Sequence, residues 1–228
     1  LKSISDNNIS LEDGDIIVIA QKIISKSENR YINLDDVIPS QDALDLGEEL
    51  NRDPAFIQSI LDESKAIIST EKNVIIVEHN LGFIHINAGI DRSNIPQDKN
   101  LVLLLPTDPS NSAAIIESFI SRSLNINISV VITDSMSRPY RSGVTNFALA
   151  SANMQSLIDL KGETDIYGNT LKSTEIAIAD ELAAAAGLLM GQGDELKPVI
   201  LIKGFSKSSY DINDALDLTV DEKNDLYR

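Results

Sequence analysis

The sequence predicts an α+β fold, mixed sheets packed with helices, on three observations. Apolar residues gather in runs of strand length, such as 101–105, and none approaches the ~18 residues that a membrane span needs. Between the runs lie stretches with apolar positions at helical spacing, two of them opened by Asp-Pro. Strands and helices do not alternate in a clean βαβ repeat, which argues against a doubly wound sheet.

Taken in order, Asp13-Gly14-Asp15 is a turn signal, and 16–20 is a short buried-type strand. From Ser40 the spacing of Ala43, Leu44, Gly47 and Leu50 predicts a helix. Asp53-Pro54 starts another, because Asp can accept from orphan amides and proline is tolerated where no amide is needed. Phe56, Ile57, Ile60 and Leu61 give that helix one apolar face. Runs 74–77 and 83–86 flank His79-Asn80-Leu81-Gly82 and read as a hairpin, with His79 in a solvated turn and His85 on a strand. Run 101–105 is a strand ending at Pro106, and Asp108-Pro109 opens a helix with Ile115, Ile116, Phe119 and Ile120 on one face. Run 128–133 is a strand that stops at Asp134, and 145–151 is a further strand. The longest helix is expected from Ser173 or Thr174 to about Met190, with Gly191 as its stop. Residues 198–203 form a last strand and 206–228 an acidic tail. The chain reads as a single domain, 1–228, and because it begins without Met, residues are expected upstream.

Composition narrows the chemistry. The chain has 228 residues, 43% of them apolar, enough to bury a core. With no cysteine there is no disulfide, thiolate nucleophile or zinc-thiolate site, and two histidines give little support to His-based triads. A net charge of −16 disfavours nucleic acid and anionic membrane as partners. That charge fits solubility, or a salty cytoplasm, or carboxylates that hold metal.

Two aspartates are set for the last role. Asp91 follows the run 83–86, and Asp134 follows the run 128–133, with the Ser135 hydroxyl beside it. A sheet can hold such a carboxylate firmly at the edge of a cleft, and magnesium and manganese take hard oxygen ligands. The competing reading is that each Asp caps a turn. Arg138 and Arg141 suit phosphate or carboxylate, or else surface ion pairs, and Lys22 and Lys26 admit the same alternatives. Gly191-Gln192-Gly193 follows a helix, whereas phosphate loops precede one, so it reads as a turn.

Several spaced segments in order carry a resemblance: Asp13-Gly-Asp-Ile-Ile-Val18, Asn87-Ala-Gly-Ile-Asp91-Arg-Ser-Asn94, Thr133-Asp134 with Arg138 and Arg141-Ser-Gly143, Asp165-Ile-Tyr-Gly168, and Ala179-Asp-Glu-Leu182. Together they resemble the coenzyme F-420 gamma-glutamyl ligases, over nearly the whole chain. The resemblance implies a cytoplasmic, intertwined homodimer that adds L-glutamate to a deazaflavin precursor and then a second, gamma-linked glutamate. It implies GTP as co-substrate, an acyl-phosphate intermediate, and magnesium or manganese, two ions, and it admits a monovalent cation. By position it assigns metal to Asp91, Asp134, Ser135 and Gln192. Nucleotide falls to Gln21, Lys22, Lys26, Asn94, Met190, Gly191, Gln192 and Gly193, and catalysis to Asp134, Arg138 and Arg141. The sequence departs from the family pattern at Ser135 (often Thr), Ser137 (usually Gly) and Gln192 (where Glu can serve), and the family's N-terminal nucleotide loop precedes the matched region. A metal-dependent phosphohydrolase or phosphotransferase, and an inactive nucleotide-binding module, are the alternatives.

Overall fold

The computed structural model describes residues 2–6, 8–96, 99–205 and 212–225; of the expected acidic tail, 206–211 and 226–228 lie outside the described residues. Along the chain, α1 (Lys2–Asp6) precedes β1 (Ile16–Ala20), whose start is fixed where Asp13 accepts from the Asn127 amide at 2.6 Å. Strand β1 runs straight into α2 (Gln21–Ser27), followed by β2 (Tyr31–Asn33). Helices α3 (Gln41–Leu50) and α4 (Pro54–Asp62) carry the expected caps: Ser40 accepts from Ala43 N, and Asp53 from Ala55 N. Next come β3 (Ser64–Ser69), β4 (Ile76–His79), β5 (Ile84–Ile86) and β6 (Leu101–Leu103). Helix α5 (Pro109–Leu124), capped by Asp108, leads to β7 (Ser129–Arg138) and β8 (Arg141–Ala152). The chain closes with β9 (Leu157–Asp159), β10 (Glu175–Ala177), α6 (Ile178–Met190) and β11 (Val199–Ile202).

These elements form two compact units. The first comprises residues 1–20, 108–135 and 145–228. Its sheet has the order β11-β1-β7-β8, with β1 parallel to β7 and antiparallel to β11. The parallel register matches Ile16 with Ser129 and Ala20 with Thr133. Helix α6 covers this sheet: Ala179, Leu182, Ala183, Ala186 and Met190 are buried together with Ile16, Val18, Val131 and Ala148. The alanines let the helix approach closely, and each large aliphatic side chain buried here contributes about 1.5–3 kcal/mol.

The second unit comprises residues 21–107 and 136–144. Strands β3, β4 and β5 make an antiparallel sheet, and β2 pairs with β6. Its core joins Phe56, Ile57 and Ile60 of α4 to Ile75, Val77, Val102 and Leu104. The α+β expectation with mixed sheets is met.

Five expectations change. Strand β7 does not stop at Asp134 but continues to Arg138, because β8 supplies hydrogen-bonding partners beyond the point where full burial ends. The helix expected from Ser173 or Thr174 begins at Ile178, since the backbone of Glu175, Ile176 and Ala177 pairs with β9; at 13 residues it is shorter than the 16-residue α5. On α5, Ile115 and Phe119 are 59% and 58% exposed, and the buried positions are Pro109, Ala113 and Ile120. His79 is not solvated: it ends β4, is 2% exposed, and stacks on Phe83 with ring centroids 5.0 Å apart. The acidic C-terminal stretch contains a 3-10 turn, Ala215–Leu218, whose Ala215 joins the first core. No helix among the described residues is long and apolar enough to cross a membrane.

Candidate active site

In the second unit, Asp91 stands where the chain after β5 makes a bridge to β6, its amide donating to Leu103 O and its carbonyl accepting from Leu103 N, both at 2.9 Å. Two side chains of α2 converge on the Asp91 carboxylate. Lys22 Nζ lies 2.6 Å from Oδ1, and Gln21 Nε2 donates to Oδ2 at 2.8 Å. Gln21 is buried and is held from behind by Ser25, whose hydroxyl donates to Gln21 Oε1 at 2.8 Å. One helical turn brings these residues together, because Gln21 and Ser25 are four positions apart. Further along α2, Lys26 Nζ donates to Asn94 O at 2.6 Å. The bend at Asn94 has φ +56°, a left-handed conformation that asparagine tolerates well. Four predicted residues and Asp91 are thus joined in pairs across two segments distant in sequence.

Arg138 and Arg141 flank the two-residue turn between β7 and β8, where Tyr140 has φ +57°. Arg141 is exposed. Arg138 Nε is screened from solvent and makes no hydrogen bond among the described residues, leaving a charged donor in need of an acceptor.

In the first unit, Asp134 and Ser135 are half-buried and follow the fully buried Thr133. Gly191 ends α6 with φ +71°, as a glycine stop requires, and Glu195 closes the following turn by accepting from Gly193 N at 2.8 Å. The bond from its own amide, together with that from Gly193, holds the Glu195 carboxyl below the usual range. The Met190 side chain is buried in the core of the first unit, and the turn follows it. Gln192 Nε2 donates to Asn146 Oδ1 at 3.1 Å.

The donor types in each unit are of the kind that magnesium and manganese take. Among the described residues no group of three or more His, Asp or Glu is gathered to hold an ion. Magnesium and manganese do not need one: they commonly keep several waters and take one or two carboxylates plus phosphate oxygens. In the second unit Asp91 offers a carboxylate; in the first, Asp134 offers a carboxylate, Ser135 a hydroxyl and Gln192 an amide oxygen. Asn146 belongs to no motif read in the sequence. Its one signal is a polar residue heading the apolar run Phe147-Ala-Leu-Ala150, where it is buried.

The model of the F420-0:gamma-glutamyl ligase family matches residues 1–204. The chain belongs to that family. It is similar to the coenzyme F420:L-glutamate ligase of Methanothermobacter thermautotrophicus, 42% identical over 205 residues covering 90% of this chain and 81% of the relative. The ligase of Methanocaldococcus jannaschii is also 42% identical, over 194 residues, 85% of this chain and 77% of the relative. That of Natronomonas pharaonis is 35% identical over 222 residues, 95% and 84% of the two chains. The chain of this ligase family is therefore an enzyme.

Proposed function

We propose that this enzyme joins L-glutamate to the deazaflavin precursor of coenzyme F420, using GTP and a divalent metal, and then extends the product by a gamma-linked glutamate. The observation that carries the reading is the convergence of Lys22 and Gln21 on Asp91, within a chain that matches its family over nearly its full length. A cation and an amide donor beside a carboxylate make a place where metal and phosphate can share oxygen and charge.

A free carboxylate is a poor electrophile. An oxygen of the precursor carboxylate attacks the γ-phosphorus of GTP, the bond from that phosphorus to the bridging oxygen breaks, and GDP leaves. The glutamate amine then attacks the acyl carbon, loses its proton, and expels inorganic phosphate with the former carboxylate oxygen. Asp91 in the second unit, and separately Asp134, Ser135 and Gln192 in the first, would hold magnesium or manganese, which when bound would neutralise charge on the transferring phosphoryl. In the second unit Lys22 and Lys26, with Asn94 beside them, would neutralise nucleotide phosphates; in the first, Gly191, Gln192 and Gly193 form a turn suited to nucleotide contact. Arg138 gives its unpaired Nε–H to an anionic oxygen, with Arg141 alongside. Both compact units serve one ligase domain, working as a cytoplasmic homodimer. Exposed apolar side chains, Ile115 and Phe119 on α5 and Leu189 on α6, supply surface for such a contact.

Incubation with precursor, GTP, glutamate and manganese, followed by mass spectrometry, tests the reading. Product heavier by one or two glutamyl units supports it. GTP breakdown without a glutamyl product sinks it in favour of a phosphohydrolase.

A further inference from the structure

Within the first unit, Thr133, Asn146 and Gln192 form a relay of hydrogen bonds whose direction is set from its backbone end. The Phe147 carbonyl can only accept, and it takes the Thr133 hydroxyl proton at 2.7 Å. The other oxygen near that hydroxyl, Asp134 O at 3.3 Å, is also a backbone acceptor. With its one proton committed to carbonyls, Thr133 Oγ1 can serve a side-chain neighbour only as acceptor. Asn146 must therefore turn its amino group to Thr133, and Nδ2 donates there at 3.3 Å. Its carbonyl oxygen then faces Gln192 and requires a donor, which Gln192 Nε2 supplies at 3.1 Å. The consequence falls on the far end: the Gln192 amide is fixed with Oε1 as its outward atom. The orientation follows from donor and acceptor logic, independently of how amide oxygen and nitrogen are distinguished.

Packing holds the relay in place. Thr133 is 1% and Asn146 9% exposed. Helix α6 bears on Asn146 through Gly187, where an added Cβ would lie 2.6 Å from both Cγ and Oδ1 of Asn146. Asn146 is thus confined on its helix side.

We propose that Asn146 is a positioning residue which presents the Gln192 carbonyl oxygen, and not its amino group, to the divalent cation. An inverted amide would direct two N–H groups at a cation and lose the ligand. This inference rests on the reading of Gln192 as a metal ligand.

The test is manganese binding to the full chain, measured by electron paramagnetic resonance without substrates, in a double-mutant cycle. Asn146→Leu is expected to weaken manganese binding by about ten- to hundredfold, the usual effect of losing an outer-sphere partner. In a Gln192→Ala background the same change is expected to have no further effect. An equal loss in both backgrounds would overturn the proposal, since it would mean Asn146 acts only through general structure. Unaltered binding in Asn146→Leu would overturn it too. If Gln192→Ala itself binds manganese as the parent does, the ligand reading fails and the proposal falls with it, a distinguishable result. Thr133→Val provides the same cycle should Asn146→Leu fail to fold: without the hydroxyl acceptor Asn146 can turn, and binding is expected to weaken only where Gln192 is present.

Discussion

At the residue scale, the account turns on carboxylates with distinct surroundings. Asp134 lies half-buried where β7 passes from full to partial burial. Asp134→Asn is expected to cut turnover by more than about a hundredfold, beyond the cost of losing an outer-sphere partner, with an unchanged circular dichroism spectrum. Full activity in that variant would refute its role as a metal ligand. Glu63 is a structural counterpart. Burial opposes its ionisation, but His79 and Arg30 outweigh burial and hold its carboxyl below the usual range. Arg30 Nη2 donates to it at 2.9 Å, whereas His79 Nε2, at 3.7 Å, acts through charge and dipole rather than as a formed hydrogen bond. A depressed folded pKa stabilises the protein fully above the unfolded value and is lost as pH falls through the folded one. Glu63→Gln is thus expected to cost about 1.5–3 kcal/mol at neutral pH. Urea melts at descending pH should show the gap between variant and parent closing below the ordinary carboxylate range; a gap constant with pH would contradict this.

At the element scale, caps were legible and partners were not. Ser40, Asp53 and Asp108 announce α3, α4 and α5 because a capping side chain acts on amides two or three residues away, within reach of a local reading. The start of α6 depends on β9, a strand distant in sequence that claims the backbone of Glu175, Ile176 and Ala177. Strand β3 is an edge strand with Ile67 and Ile68 exposed, so it shows no alternation from which to read it. The Asp91 site was half legible. The aspartate follows a readable strand, but the approach of Lys22 and Gln21 requires the path of α2, a helix too short to announce itself by periodicity. The packing of α6 is open to test. Gly187→Ala would press a methyl group onto the buried Asn146, and overpacking of this kind costs about 1–3 kcal/mol. Alanine otherwise favours a helix interior by up to ~1 kcal/mol over glycine, so a lowered melting midpoint would identify the contact as the stronger effect. A raised midpoint would show that Asn146 moves aside.

At the scale of the whole molecule, the sheet–helix composition was legible because buried strands such as β1 are uniformly apolar, while the division into two units was not. The second unit gathers residues 136–144 with a segment that ends at 107, and no local pattern marks that association. Net charge acts on both units. An excess of 35 acidic over 19 basic residues makes the compact state repel itself, and salt screens that repulsion as the Debye length falls from ~10 Å at 0.1 M to ~3 Å at 1 M. The thermal midpoint is expected to rise across that range in potassium chloride; a flat or falling midpoint would mean that ion pairs such as Lys203 with Glu12 and Asp15 outweigh the repulsion.

The central claim is ligation through an activated carboxylate, and isotope transfer tests it most directly. Precursor carrying oxygen-18 in its acceptor carboxylate is incubated with GTP, glutamate and manganese, and both products are weighed by mass spectrometry. The account predicts a glutamylated product together with inorganic phosphate that has taken one labelled oxygen from the carboxylate. Unlabelled phosphate, with the precursor returned unchanged, would contradict it.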